Sequence, residues 1–114
     1  MKFFDLSGKV GVVSGAAQGL GRATSLALAE CGADLMLIDR NLAGAEATAT
    51  QIREQGRRAA VSSCDVSDPD AITELFRQVD QEFGRVDFLG NIAGDGVLAR
   101  PEHLAITDLH KVLQ

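Results

Sequence analysis

The sequence predicts an α/β protein built on a parallel sheet with flanking helices, and three observations predict it. Short apolar runs alternate along the chain with stretches of helical periodicity, the pattern of strand–helix–strand units. Glycines spaced Gly-x-x-x-Gly-x-Gly separate the first apolar run from the first helix, and an acid closes the second run. With 114 residues and 46% hydrophobic content, the chain is long enough for one compact core and too short for two.

The first strand is Lys9–Ser14, β-branched and short as a buried parallel strand should be. It runs into Gly15. Apolar or small residues at Leu20, Ala23, Thr24, Ala27, Leu28 and Cys31 form one helical stripe, and Gly32 closes that helix. Asp34–Asp39 is the second strand, followed by an alanine-rich helix from Leu42 toward Gln55 with a stop at Gly56. The third strand, Ala59–Cys64, leads through Asp65 and Val66 to a helix capped by Ser67 or Asp68, with Pro69 in its first turn. Its buried stripe is Ile72, Leu75, Phe76, Val79 and Phe83, and Gly84 ends it. Val86–Asn91 reads as a fourth strand, Ile92-Ala93-Gly94 as a turn, and Thr107 as the cap of a last helix that is cut off at Gln114. Gly11 and Gly90 each remove a side chain from a strand position, which predicts a locally weaker sheet.

Bulk properties exclude several functions. A formal charge of −5 and a pI near 4.8 oppose a nucleic-acid footprint, which needs a basic stripe against phosphates. No run of about 18 apolar residues exists, and Asp5 interrupts the start too early for a signal-peptide core, so a cytoplasmic protein with a small dissolved ligand is expected. Cys31 and Cys64 lie far apart in apolar contexts and read as free buried thiols, with no metal-ligand spacing. His103 and His110 read as surface residues.

The turn Ser14-Gly15-Ala16-Ala17-Gln18-Gly19-Leu20-Gly21 has the composition of a phosphate cradle. The chain must turn sharply, admit a pyrophosphate to its backbone and pack a helix on the sheet, and each demand excludes a Cβ. The helix start then offers N–H groups and roughly half a positive charge to the phosphates. Asp39 stands where an acid accepts the adenosine-ribose hydroxyls and repels a 2′-phosphate, and Gln18 is uncharged, which favours NAD(H) over NADP(H). Arg40 reads as a solvated surface charge, with recruitment of a 2′-phosphate as the alternative.

The segments Ser14–Gly21, Asp39, Cys64-Asp65-Val66 and Asn91-Ile92-Ala93-Gly94, in this order, resemble the short-chain dehydrogenase/reductase pattern over essentially the whole chain. The resemblance implies a Rossmann-like sheet of order 3-2-1-4, with residues 1–114 forming the N-terminal NAD-binding part of a single domain. It implies that Gly15, Gln18, Leu20 and Gly21, with Gly19 in the same turn, surround the pyrophosphate, and that Asp39 holds the ribose. By the same resemblance Asp65 and Val66 are expected to flank the adenine, and Asn91, Ala93 and Gly94 to lie beside the cofactor, although Ile92 replaces a second asparagine. Ser14 stands in the place of a threonine whose hydroxyl ties the first strand to the fourth.

The family's catalysis, as the resemblance implies it, uses a tyrosine, a lysine four residues on, a serine and a relay asparagine. The chain has no tyrosine, and Lys2, Lys9 and Lys111 lie in no Tyr-x-x-x-Lys setting. No catalytic residue is assigned, and the 114 residues alone are expected to be inactive. Thr107–Gln114 resembles the helix that carries the relay asparagine and stops before it, so a partial chain of an enzyme acting on an alcohol or carbonyl compound, a homo-oligomer at full length, is expected. An S-adenosylmethionine-dependent methyltransferase also pairs a glycine turn with an acid, but the glycine spacing and Asn91–Gly94 oppose it. A non-catalytic nucleotide-binding module is opposed by a chain that stops within a helix pattern.

Overall fold

The computed structural model describes residues 5–65 and 67–91, the last of these by its backbone alone. Val66, the turn at Ile92, Ala93 and Gly94, both histidines and the helix expected after Thr107 lie outside the described residues. Within them the order is β1 (Val10–Ser14), α1 (Gly19–Glu30), β2 (Asp34–Ile38), α2 (Leu42–Glu54), β3 (Ala59–Ser62), α3 (Pro69–Phe83) and β4 (Phe88–Asn91). All strand pairs are parallel, and the sheet runs β3-β2-β1-β4, as expected.

Strand periodicity divides the core between the two faces of the sheet. Val13, Leu35 and Leu37 pack with Ala29, Ala49 and Ile52 under α1 and α2, while Val10, Val12, Met36 and Ile38 pack with Leu75 and Val79 of α3. Both faces of β1 and β2 are therefore covered, which explains the apolar runs Val10–Val13 and Leu35–Ile38 within them. Among the described residues, no helix is long and apolar enough to cross a membrane.

Helix ends follow local chemistry. Asn41 caps α2 by accepting from the Gly44 N–H at 3.0 Å, and Asp68 caps α3 by accepting from the Asp70 N–H at 3.0 Å. Gly84 ends α3 in the left-handed conformation, at φ +76°.

Several expectations are corrected. The buried stripe of α1 is Gly21, Ser25 and Ala29, whereas Ala23 and Ala27 are exposed and Leu20 is 58% exposed. The helix sits so close to the sheet that small residues occupy the contact, and the Ser25 hydroxyl is satisfied by donating to the Gly21 carbonyl at 2.7 Å. Cys31 and Cys64 are free but half-buried. β3 stops at Ser62, opposite the last residue of β2, and Asp39 lies just beyond β2.

β4 starts at Phe88, after an anchoring acid. The Asp87 N–H donates to the Val10 carbonyl at 2.7 Å, and its carboxylate accepts from the Val10 N–H at 2.8 Å. Hydrogen bonds from the Arg85 guanidinium, followed by the one from Val10, hold the Asp87 carboxyl below the usual carboxylate range against the opposing effect of burial.

Gly11 leaves no gap at its strand position. It pairs with Phe88 across β1 and β4, and a Cβ on Gly11 would lie 1.9 Å from the Phe88 ring, so the ring fills the space left by the missing side chain. Phe88→Ala should therefore lower the unfolding free energy by about 2–3 kcal/mol, somewhat less than for a fully buried ring. Gly11→Val should also destabilise, and the double variant should be more stable than the sum of the single effects by about 1 kcal/mol. Urea denaturation of the four proteins measures this, and strict additivity would show that the two positions do not share the space.

Candidate dinucleotide site

Those residues singled out in the sequence that the structure describes gather at the carboxyl ends of the strands, where the order reverses between β2 and β4 around β1. In open parallel sheets this is where ligands bind. Ser14 ends β1 opposite Asn91 of β4, and its hydroxyl donates to the Gly90 carbonyl at 3.4 Å, the expected tie between the two strands.

Beyond Ser14 the chain turns at Gly15, which has φ +71°, a conformation that disfavours any side chain. The Gly15 and Ala16 N–H groups both donate to the Ile38 carbonyl, at 2.8 and 3.4 Å, so the turn remains attached to β2. Ala16 and Ala17 are buried, while Gln18, Gly19 and Leu20 are exposed. Gly21 then brings α1 back against the turn. A Cβ on Gly21 would lie 1.7 Å from the Gly15 carbonyl oxygen.

α1 differs at its start from the other two described helices. Its N-cap residue, Gln18, is extended and gives no side-chain cap, whereas Asn41 and Asp68 cap the other two. The N–H groups of the first turn therefore receive no side-chain cap, which leaves them to an external acceptor.

Asp39 stands across the turn from this helix start. One carboxylate oxygen accepts from the Ala17 N–H at 3.0 Å and the other from the Asn41 N–H at 2.9 Å. Two backbone donors thus fix the orientation of the carboxylate, and each oxygen retains a lone pair for a further donor.

Asp65 lies after β3 and accepts from both the N–H and the hydroxyl of Ser67, at 2.9 and 2.7 Å. Those bonds, with a smaller contribution from Arg40, hold its carboxyl below the usual range. Arg40 is 80% exposed and pairs with Asp65 at 3.4 Å. Cys64 beside it has a thiol pushed up by burial and then by Asp65 and Asp68, which keeps it protonated and a weak nucleophile. Among the described residues, no group of three potential metal ligands exists.

Sequence reading missed Arg22 and Thr48. Arg22 donates to the Ala17 carbonyl at 2.6 Å and to the Thr48 hydroxyl oxygen at 3.0 Å, and the Thr48 hydroxyl donates to the Ala16 carbonyl at 2.8 Å. The available signal was Thr48 itself, a lone polar residue in the otherwise apolar buried stripe Ala45, Ala49 and Ile52.

Residues 9–114 match the family described as short chain dehydrogenase. D-threitol dehydrogenase of Mycolicibacterium smegmatis is 40% identical over 110 residues, covering 96% of this chain and 42% of that protein. Carveol dehydrogenase from Mycobacterium avium, solved in complex with NAD, superposes with a TM-score of 0.74 at 30% identity, covering 96% of this chain and 44% of that one. A metagenomic short-chain oxidoreductase solved in complex with NADP gives a TM-score of 0.69 at 37% identity, covering 74% and 38%. The chain spans less than half the length of these relatives and corresponds to the N-terminal part of the family's domain.

The Gly21 contact gives a comparison free of any ligand. Gly21→Ala gains helix propensity of about 1 kcal/mol, but its Cβ overlaps a backbone oxygen that cannot swing aside. A net destabilisation of about 1–3 kcal/mol is expected. A Cβ on Gly19 meets nothing within 4 Å, so Gly19→Ala should cost only the left-handed strain of φ +57°, at most about 1–2 kcal/mol. Thermal unfolding of both variants should rank Gly21→Ala as the more damaging, and the reverse order would contradict the close approach.

Proposed function

The chain belongs to the short-chain dehydrogenase family, and from that premise we propose that it is the NAD(H)-binding part of an oxidoreductase acting on an alcohol or carbonyl compound. The observation that carries this reading is the uncapped start of α1, set against the glycine turn with the Asp39 carboxylate fixed across it. Donors for a pyrophosphate and an acceptor for ribose hydroxyls lie on the two sides of one turn. The solved relatives hold NAD in one case and NADP in the other, which supports a nicotinamide dinucleotide as the cofactor class.

In this reading Gly15, Gln18, Gly19, Leu20 and Gly21 hold the pyrophosphate, while Asp39 accepts from the adenosine-ribose hydroxyls. Asp65 and Val66 flank the adenine, and Asn91, Ala93 and Gly94 complete the wall beside β4, with Ser14 tying that wall to β1. Bound there, the cofactor supplies the hydride acceptor or donor. The chain's own contribution is binding and orientation, since the residues for proton transfer have no counterpart in its sequence. The whole enzyme is accordingly read as cytoplasmic and homo-oligomeric, with a small alcohol or carbonyl substrate, and the 114-residue chain alone as inactive.

NAD rather than NADP follows from charge. An Asp39 carboxylate next to the ribose repels a 2′-phosphate, and the cation best placed to offset it, Arg40, is paired with Asp65. A hydrogen bond to a charged group contributes about 1.5–3 kcal/mol, so Asp39→Ser should weaken NAD binding by at least about tenfold and NADP binding much less. Isothermal titration with both nucleotides measures the two losses. Equal losses would remove Asp39 from the ribose site.

A further inference from the structure

The first two turns of α2 are fastened to the glycine turn at three points. Gly44 comes so near that a Cβ there would lie 2.8 Å from the Ala17 Cβ and 2.7 Å from the Asn41 Nδ2. Thr48, fully buried, donates its hydroxyl proton to the Ala16 carbonyl at 2.8 Å and accepts from Arg22 Nε at 3.0 Å. Arg22 in turn donates through one terminal nitrogen to the Ala17 carbonyl at 2.6 Å and to the Gly44 carbonyl at 3.3 Å. A guanidinium presents its donors as a rigid planar fork, so the bonds from Nε and the terminal nitrogen fix its orientation together.

Two of these partners, the Ala16 and Ala17 carbonyls, belong to consecutive peptide groups, which determines what lies on the other side. In a planar trans peptide the N–H points opposite to the preceding C=O. The Ala16 carbonyl, held by Thr48, shares its plane with the Ala17 N–H, which donates to Asp39 Oδ2 at 3.0 Å. The Ala17 carbonyl, held by Arg22, shares its plane with the Gln18 N–H at the start of α1.

We propose that Arg22 and Thr48 are positioning residues for dinucleotide binding, resting on the cofactor reading above: by drawing two carbonyls of the turn toward α2, they aim its amides at Asp39 and at the pyrophosphate side. Neither residue touches the nucleotide in this arrangement. Thr48 acts through the Ala17 amide on the placement of Asp39, and Arg22 acts through the Gln18 amide on the phosphate-facing backbone. α2 is thereby a buttress of the binding turn as well as a cover for the sheet.

The test uses Thr48→Val, which keeps the shape and removes the hydroxyl, Thr48→Ser, which restores it, and Arg22→Lys, which keeps the charge and loses the fork. Amide resonances of the ligand-free 114-residue chain are compared by nitrogen–proton correlation spectra, and NAD, ADP and adenosine are titrated into each protein. Thr48→Val and Arg22→Lys should shift the Ala17 and Gln18 amides and weaken NAD and ADP about tenfold, the effect of one lost hydrogen bond in a fixed geometry. In Arg22→Lys adenosine binding should change less than about twofold by the same conversion, since that residue acts on the phosphate side. Thr48→Val, which acts through Asp39, should weaken adenosine as well, and Thr48→Ser should behave as the parent. Unshifted Ala17 and Gln18 amides would overturn the proposal, as would equal losses for adenosine and NAD in Arg22→Lys, or losses in either variant that follow the melting temperature alone. If the parent chain binds none of the three compounds, the cofactor reading falls, while the amide shifts still decide whether Arg22 and Thr48 orient the turn.

Discussion

The backbone contact between Gly21 and the Gly15 carbonyl sets where α1 lies, and the candidate site depends on that position. With no Cβ between them, the first turn of the helix rests directly on the turn that follows β1. The same closeness selects Ser25 and Ala29 for the buried side of α1. It also brings Arg22 within reach of the Ala17 carbonyl and Thr48, so that α1, α2 and the turn form one hydrogen-bonded unit. A bulkier contact would displace the helix start, and with it the backbone donors that make the site.

Charge at this edge is arranged to favour one kind of ligand. The positive end of α1 is left without a cap while α2 and α3 are capped by Asn41 and Asp68, so the omission is specific to the helix that faces the switch point. Asp39 supplies negative charge a short distance away, and backbone donors hold it there. The combination suits a molecule with phosphates at one place and neutral hydroxyls at the next. Membership in the short-chain dehydrogenase family supplies the chemical context for such a molecule.

Much of this was legible in the sequence because local rules govern it. The apolar runs marked the strands, Pro69 and Asp68 the start of α3, and the glycines the sharp turn after β1 that forms part of the candidate site, since backbone conformation and capping depend on neighbouring residues. The buried side of α1 was misjudged for a physical reason. Periodicity ranks residues by apolarity, but at a close helix–sheet contact size decides, and Gly21 and Ser25 displace Leu20 and Ala23 from the interface. The partnership of Gly11 with Phe88, and of Arg22 with Thr48, joins residues distant in sequence, and only the register of β1 with β4 and the packing of α1 on α2 bring them together. The family match supports the dehydrogenase reading of the glycine turn over the methyltransferase alternative.

The central claim is that the start of α1 and the Asp39 carboxylate bind the two parts of one adenosine diphosphate group. A crystal structure of the chain with NAD tests it most directly. The account places pyrophosphate oxygens within hydrogen-bond distance of N–H groups in the segment from Gly15 to Gly21, and both adenosine-ribose hydroxyls on Asp39. A nucleotide bound elsewhere, or one whose ribose turns away from Asp39 while its phosphates avoid the helix start, would contradict it.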